Sequence, residues 1–487
     1  MAVELQVLYR ADTALEPLSP YRSDDLEVLS SAQLRVVLGD PVRDRPFLVA
    51  LGDVGDEPTV ARLLWNGGRF QIPICDTLEP ASREPVIVSP IELSPNGSSP
   101  SCQSVSIEVE TRGGQTWRAA ILVREFAPKM GCLTRALMDE RGLVVASATV
   151  WYQVISPFNE DGRIKHAQAP TLLNQIRHGD AEKLPFLSRA KPGMCAPRLI
   201  GHRGYGAHNE MVLENTMLSF ETYVNQPAES DVRCIELDVQ LTKDLVPVIH
   251  HDYYVHDGMP VFSHTLEQVQ SAFGRKTQAM QDLIVGLKLD RIPTLQTVCD
   301  SLPERTSLLV ELKYPSWILS ERETLPYPER NVYADAVLEV LFNSIRSANR
   351  KIFLLTFDPD LASVLRLKQS IYDVFLLNNS DHDDSDPRLD ERVSTARKAV
   401  AFARANRLQG CVFRAEMVLN EPDLVTHAHE LGLYVLTYGA INSDPGAVRS
   451  QQALCVDAVI SDHVPSLVLQ LNQPHSASSV SSISSSE

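Results

Sequence analysis

The sequence predicts an α/β protein whose larger part is a TIM (β/α)8 barrel, preceded by a smaller all-β, sandwich-like domain. Three observations predict it. From residue 198 onward, eight strand-length runs alternate with helical stretches, and many of the runs are too hydrophobic for a half-exposed sheet. Before residue 155, short β-type runs are separated by turn residues, the pattern of an antiparallel sandwich. No GxGxxG turn is present to support a doubly wound open sheet.

The elements follow in order. Residues 1–155 form the β-rich domain, with strands expected at 34–38, 61–65, 69–73, 105–109, 116–123 and 144–152. The last of these ends at Ser156-Pro157. Residues 156–197 read as a connector with one helix around 171–178. Residues 198–470 form the barrel, with strands expected at 198–202, 234–240, 308–313, 352–356, 374–377, 410–413, 434–438 and 458–461. Helices are expected at 216–224, 332–347, 390–406 and 422–431. The Ser-rich, apolar-poor tail at 471–487 is expected to be disordered.

Charge narrows the function class. With 62 acidic against 45 basic residues, the formal charge is −17, which repels duplex nucleic acid and anionic membranes. An anionic substrate needs a local positive site, and a bound cation is the simplest way to supply one. The eight cysteines form no CxxC pair and no zinc-type spacing, so they read as reduced cytosolic thiols. The N-terminus reads as lacking a signal peptide, and no apolar run approaches membrane-spanning length, so the expectation is a cytoplasmic protein without an integral membrane segment. Oligomeric state cannot be read.

The chemistry-bearing residues concentrate near the start of the barrel. Glu236 and Asp238 are two apart in a strand and share one face, while Leu237 and Val239 share the other. At a strand's C-terminal end that face opens on a barrel mouth, where two desolvated acids require a hard cation such as Mg²⁺ or Ca²⁺. Two ordinary acids on a solvated edge strand would read the same way. Glu311 and Lys313 repeat the arrangement one strand later, offering a third oxygen ligand and an ammonium for phosphate. His202 and Arg203 close the first strand, with Gly204 and Gly206 beside them. His250 and His251 point to opposite faces; His251, next to Asp252, is the chosen site residue, although parity does not say which face looks inward. Glu214 and Asn215 precede a helix, and Asn215 is expected to be its N-cap.

In order, His-Arg-Gly, Glu-Asn-Thr, Glu-Leu-Asp-Val, the His-Asp pair, Glu311-Leu-Lys313 and Ile460-Ser-Asp462 resemble the glycerophosphodiester phosphodiesterase family over roughly 198–470. Asp290-Arg-Ile-Pro-Thr-Leu295, Leu436-Thr-Tyr-Gly439 with Asn442, and Trp151-Tyr-Gln-Val-Ile-Ser-Pro-Phe158 look most like its eukaryotic, fungal-type glycerophosphocholine phosphodiesterase branch. The resemblance implies a TIM-barrel hydrolase using a divalent cation, Mg²⁺ before Ca²⁺, held by Glu236, Asp238 and Glu311. It implies His202 and His251 as acid and base, and Arg203, Lys313, Glu214, Asn215 and Tyr438 as phosphate or substrate contacts. The implied partner is a small-molecule glycerophosphodiester, first glycerophosphocholine, giving sn-glycerol 3-phosphate and choline. Two departures bear on the headgroup: 205–213 is longer than in bacterial members, and Thr437-Tyr438 stands where they more often carry tryptophan. Competing expectations are a lysophospholipase D-type activity in the same barrel and a catalytically silent binding or scaffold barrel. The β-domain reads as C2-like or carbohydrate-binding-like, or simply as a packing partner.

Overall fold

The computed structural model describes residues 33–40, 42–43, 47–50, 58–65, 68–73, 86–88, 104–126, 130–156, 158, 198–206, 212–226, 233–255, 258–283, 291–315, 327–344, 350–379 and 390–471. The helix expected at 171–178 and the Ser-rich tail lie outside them. Two sheets organise the chain, one upstream of residue 156 and one downstream of 197.

The upstream sheet is antiparallel throughout. Its strands are β1 (Gln33–Leu38), β2 (Leu48–Ala50), β3 (Pro58–Trp65), β4 (Gly68–Pro73), β5 (Val86–Val88), β6 (Ser104–Thr111), β7 (Thr116–Leu122), β8 (Met130–Met138) and β9 (Val144–Ile155). They run in the order β4-β3-β6-β7-β8-β9-β1-β5, with β2 also on β9. Strand β6 alternates half-buried and buried residues along its length, so one face carries the core and the other meets solvent. That core gathers Val36, Leu63, Ile107, Trp117 and Val150.

The downstream sheet closes into a barrel. Its strands β10 (Arg198–Gly201), β11 (Arg233–Leu241), β13 (Thr306–Leu312), β14 (Ile352–Thr356), β15 (Asp373–Asn378), β16 (Gly410–Arg414), β17 (Tyr434–Tyr438) and β18 (Ala458–Ser461) are all parallel, and β10 pairs with both β18 and β11. A short strand, β12 (Pro247–Ile249), adds antiparallel to β11. Every residue of β13 is buried, because helices cover one face and the interior fills the other. Parity is clean. Ile200, Cys234, Leu309, Phe353, Val412, Leu436 and Ala458 fill the interior, while Ile235, Leu237 and Val239 pack outward against helices.

The helices are α1 (Met217–Val224), α2 (Leu266–Leu283), α3 (Leu295–Ser301), α4 (Arg330–Asn343), α5 (Pro359–Lys368), α6 (Ala396–Ala405), α7 (Ala415–Asn420), α8 (Asp423–Glu430), α9 (Pro445–Ala453) and α10 (Val464–Leu471). The helix expected from residue 390 begins later, at Ala396, behind Thr395, whose hydroxyl caps Lys398 N. The residues before it have other work. Arg392 donates from Nη1 to Asp360 Oδ1 at 2.5 Å and from Nη2 to Asp390 Oδ2 at 2.5 Å. No helix among the described residues is long and apolar enough to cross a membrane.

The two sheets meet through β9. Two guanidinium groups lie over the Trp151 ring, Arg35 at 5.1 Å and Arg392 at 5.4 Å from its centre. Gln153 Nε2 donates to Asp360 O at 3.0 Å, and Asn331 Nδ2 donates to Val154 O at 3.0 Å. Arg35, fully buried, donates to Asn406 Oδ1 at 2.5 Å, and burial pulls its pKa down to about 9. Arg392→Met is expected to strip Asp360 and Asp390 of their buried guanidinium and to lower unfolding stability by about 3–5 kcal/mol. Urea denaturation checks it; a loss below about 1 kcal/mol would show that the pairs merely offset their own desolvation.

Candidate active site

Barrel parity assembles the site. Two residues beyond Cys234 and Leu309, the interior face continues as Glu236 and Glu311, and two further on as Asp238 and Lys313. The register of β11 with β13 sets Asp238 directly beside Glu311. One ligand oxygen from each of Glu236, Asp238 and Glu311 lies within 4.8 Å of the others. All three are buried: relative exposures are 4%, 1% and 8%.

Three acids in so dry a place need compensation. Burial, then the charges of Asp238 and Glu311, push the Glu236 carboxyl well above the usual range, against Arg203. Asp238 is held low: Lys313, Arg203, His251 and a hydrogen bond from Asn215 together outweigh burial. Lys313 Nζ lies 2.7 Å from Glu311 Oε1 and 3.6 Å from Asp238 Oδ1. Those two carboxylates keep its ammonium charged although burial opposes it. The protein therefore neutralises Asp238 itself and leaves Glu236 short of positive charge. A buried, anionic, all-oxygen donor set of this kind fits a hard divalent cation.

The surrounding residues are fixed in place. Arg203 has φ 51° and Asn215 φ 55°, left-handed values that non-glycine residues rarely adopt. This backbone lets Arg203 N donate to Glu236 Oε2 at 3.0 Å and Arg203 Nη1 to Glu214 Oε1 at 2.8 Å. Arg203 Nε stands 3.2 Å from Asp238 Oδ2. Asn215 Nδ2 donates to the same Asp238 oxygen at 2.8 Å. Here the sequence expectation needs correction. Asn215 does not cap α1; Thr216 does, accepting from Ser219 N at 3.2 Å, because the left-handed Asn215 has turned its amide into the barrel.

Two histidines flank the acids, each with its own carboxylate. His202 Nδ1 donates to Asp462 Oδ1 at 2.7 Å, and its Nε2 faces Glu236 Oε2 at 4.0 Å. His251 Nδ1 donates to Asp252 Oδ1 at 2.9 Å. His250 turns away: it is buried, 3.3 Å from Tyr254 O, with its ring edge-on to Phe273. His251 is thus the histidine near Asp238, whose carboxylate it helps to hold low.

Tyr438 ends β17 on the far side of the mouth, its hydroxyl donating to Asn378 O at 3.4 Å. Burial, then the charge of Glu311, raises its phenol. The structure brings all ten sequence-chosen residues to one end of the barrel. It adds Asp462, which sequence reasoning had treated only as part of a closing motif. An acid immediately after the last barrel strand was the available signal.

The model of the glycerophosphoryl diester phosphodiesterase family matches residues 202–466. A glycerophosphocholine phosphodiesterase of Schizosaccharomyces pombe is 30% identical over 330 residues, 56% of this chain and 28% of that protein. A glycerophosphodiester phosphodiesterase of Arabidopsis thaliana is 29% identical over 298 residues, 55% of this chain and 76% of that protein. A glycerophosphocholine phosphodiesterase of Homo sapiens is 27% identical over 303 residues, 55% of this chain and 44% of that protein. The chain therefore spans less than half the length of the fission yeast and human proteins.

Proposed function

The chain belongs to the glycerophosphoryl diester phosphodiesterase family, and on that premise we propose that it hydrolyses glycerophosphodiesters, glycerophosphocholine first, to sn-glycerol 3-phosphate and choline. The observation that carries the reading is the buried triad of Glu236, Asp238 and Glu311 with a carboxylate-held histidine on either side.

Glu236, Asp238 and Glu311 hold the cation, Mg²⁺ by preference. When bound, it supplies Lewis-acid stabilisation of the phosphoryl oxygens and offsets the charge that burial makes unfavourable. Lys313 and Arg203 present an ammonium and a guanidinium to the phosphate from two sides. His202 and His251 share the proton work. One takes the proton from the attacking oxygen and the other gives one to the choline oxygen as its bond to phosphorus breaks. Where the attacker is the glycerol 2-hydroxyl rather than water, the cyclic phosphodiester that forms is opened by water in a second step to give glycerol 3-phosphate. Asp462 and Asp252 orient those rings by accepting from their Nδ1 atoms. Glu214 and Asn215 hold Arg203 and Asp238 in register, so their effect on the substrate is through geometry.

The test is product analysis by phosphorus NMR with glycerophosphocholine. The wild type is expected to yield glycerol 3-phosphate; His202→Ala and His251→Ala are each expected to lower kcat by about 10²–10⁴ with little change in melting temperature. Phosphocholine as product, or full activity in either variant, would contradict the assignment.

Gly206 offers a subtler check. It has φ 115°, and an added Cβ would collide with the Asp462 carbonyl. Gly206→Ala is expected to displace Asp462 from His202 and to lower kcat about tenfold to a hundredfold. Steady-state kinetics beside a thermal melt separates this from simple unfolding, since a loss of activity that merely tracks the melt would count against a positioning effect.

A further inference from the structure

The face of β11 that carries Glu236 and Asp238 carries Gln240 two residues further on, a fully buried amide to which the mechanism gives no work. Gln240 Nε2 donates to His251 O at 3.2 Å and to Asp252 O at 3.1 Å. Its Oε1 accepts from the Tyr327 hydroxyl at 2.6 Å. The partners fix which way the amide points. Carbonyl oxygens only accept, so Nε2 must face them, and the phenol is left to donate to Oε1. Burial, then the neighbouring tyrosines, raises the Tyr327 phenol, which keeps that proton in place.

Tyr327, in the segment between β13 and α4, is itself held fast. Its ring stacks on Phe262 at 5.8 Å and stands edge-on to Tyr253 at 5.6 Å and to Tyr314 at 5.4 Å. The Tyr314 hydroxyl donates to the carbonyl of the next residue, Pro328, at 2.8 Å. His251 needs such support. Strand β12 ends at Ile249, and His250 N still donates to Asp238 O at 2.9 Å, but beyond it the chain bends. That bend carries both the imidazole and the Asp252 carboxylate that orients it.

We propose that Gln240, locked by Tyr327, is a positioning residue that holds the His251–Asp252 bend so that the imidazole reaches the reacting oxygen. The role rests on the hydrolase reading above. A general acid or base works within hydrogen-bond reach of its proton, and a displacement of about 1 Å costs up to about a hundredfold in rate.

The experiment is a double-mutant cycle on glycerophosphocholine hydrolysis by the full chain in Mg²⁺. Gln240→Met keeps the side chain's length and removes its donors. Alone, it is expected to lower kcat about tenfold to a hundredfold, with KM within about twofold. Combined with His251→Ala it is expected to cost less than about twofold further, whereas combined with His202→Ala it keeps its full factor. Tyr327→Phe, which removes only the hydroxyl, is expected to lower kcat about threefold to tenfold in the same pattern and serves if Gln240→Met folds poorly. A kcat unchanged in both variants, or a loss as large without His251 as with it, overturns the positioning role and leaves the hydrolase reading standing. Where His251→Ala leaves no turnover to read, the imidazole proton resonances of His251 replace the cycle. They are expected to move in both variants while those of His202 hold; a His251 spectrum that stays in place overturns the role. A wild type inert toward glycerophosphocholine overturns the hydrolase reading, and the positioning role with it.

Discussion

Glu236→Gln is expected to abolish turnover and, in cation-free protein, to raise the melting temperature. Both follow from the same charge. Glu236 is the acid of the triad whose carboxyl is pushed well up by burial and by its two neighbours. Arg203 N donates to its Oε2 at 3.0 Å, a bond that the glutamine oxygen can still accept. The variant therefore keeps the shape and loses the repulsion. An acid with a raised folded-state pKa favours the fold at low pH, and that contribution is lost as pH rises through the raised value. The melting difference between variant and wild type should accordingly widen with rising pH and close in acid, reaching a few degrees at neutrality. Activity goes the other way. Losing an anionic ligand forfeits several kcal/mol of transition-state stabilisation, so kcat/KM is expected to fall by about a thousandfold or more. Differential scanning calorimetry in EDTA and a kinetic assay in Mg²⁺ check the two halves separately. A variant that melts below the wild type in EDTA, or that keeps its activity, would mean that Glu236 is no cation ligand.

Lys313→Met is the complementary experiment, with stability as its main readout. The ammonium lies between Glu311 at 2.7 Å and Asp238 at 3.6 Å. Removing it leaves Arg203 as the nearest compensating charge for Asp238 and none of comparable proximity for Glu311 among the described ion pairs. Breaking a buried pair from one side costs about 3–5 kcal/mol, and that loss is expected in EDTA. Mg²⁺ should restore part of it, because a cation that binds only the folded chain stabilises by mass action. Turnover should fall even at saturating cation, since the phosphate loses a charged contact. Urea unfolding with and without Mg²⁺ reads all of this. A loss under about 1 kcal/mol in EDTA would show that Lys313 is not the charge that holds the triad together.

Much of this site was legible in the chain because barrel strands obey parity. Glu236 and Asp238 two apart, and Glu311 with Lys313 two apart, had to share the interior face once Cys234 and Leu309 did. The barrel itself was readable from apolar runs of strand length. Parity stops where strands stop. It could not choose His251 over His250, because Phe273 in α2, some twenty residues on, decides which ring is buried. It could not anticipate that Asn215, a good capping residue by type, would give that place to Thr216 and turn to Asp238. Asp462 was invisible as a partner of His202 since 260 residues separate them and only closure of the barrel brings them together. The start of α6 was misjudged for a related reason: Asp390 and Arg392 look like a polar first helical turn, and their charges instead tie the loop to Asp360 and Trp151.

One measurement bears most directly on the central claim, that three buried carboxylates hold a cation for phosphodiester hydrolysis. It is the release of glycerol 3-phosphate from glycerophosphocholine by the purified full chain in EDTA, then after addition of Mg²⁺ or Ca²⁺. Release that vanishes in EDTA and returns with a divalent cation in the wild type but not in Glu236→Gln is the predicted result. Release that persists in EDTA, or no release with either ion from folded protein, would contradict it.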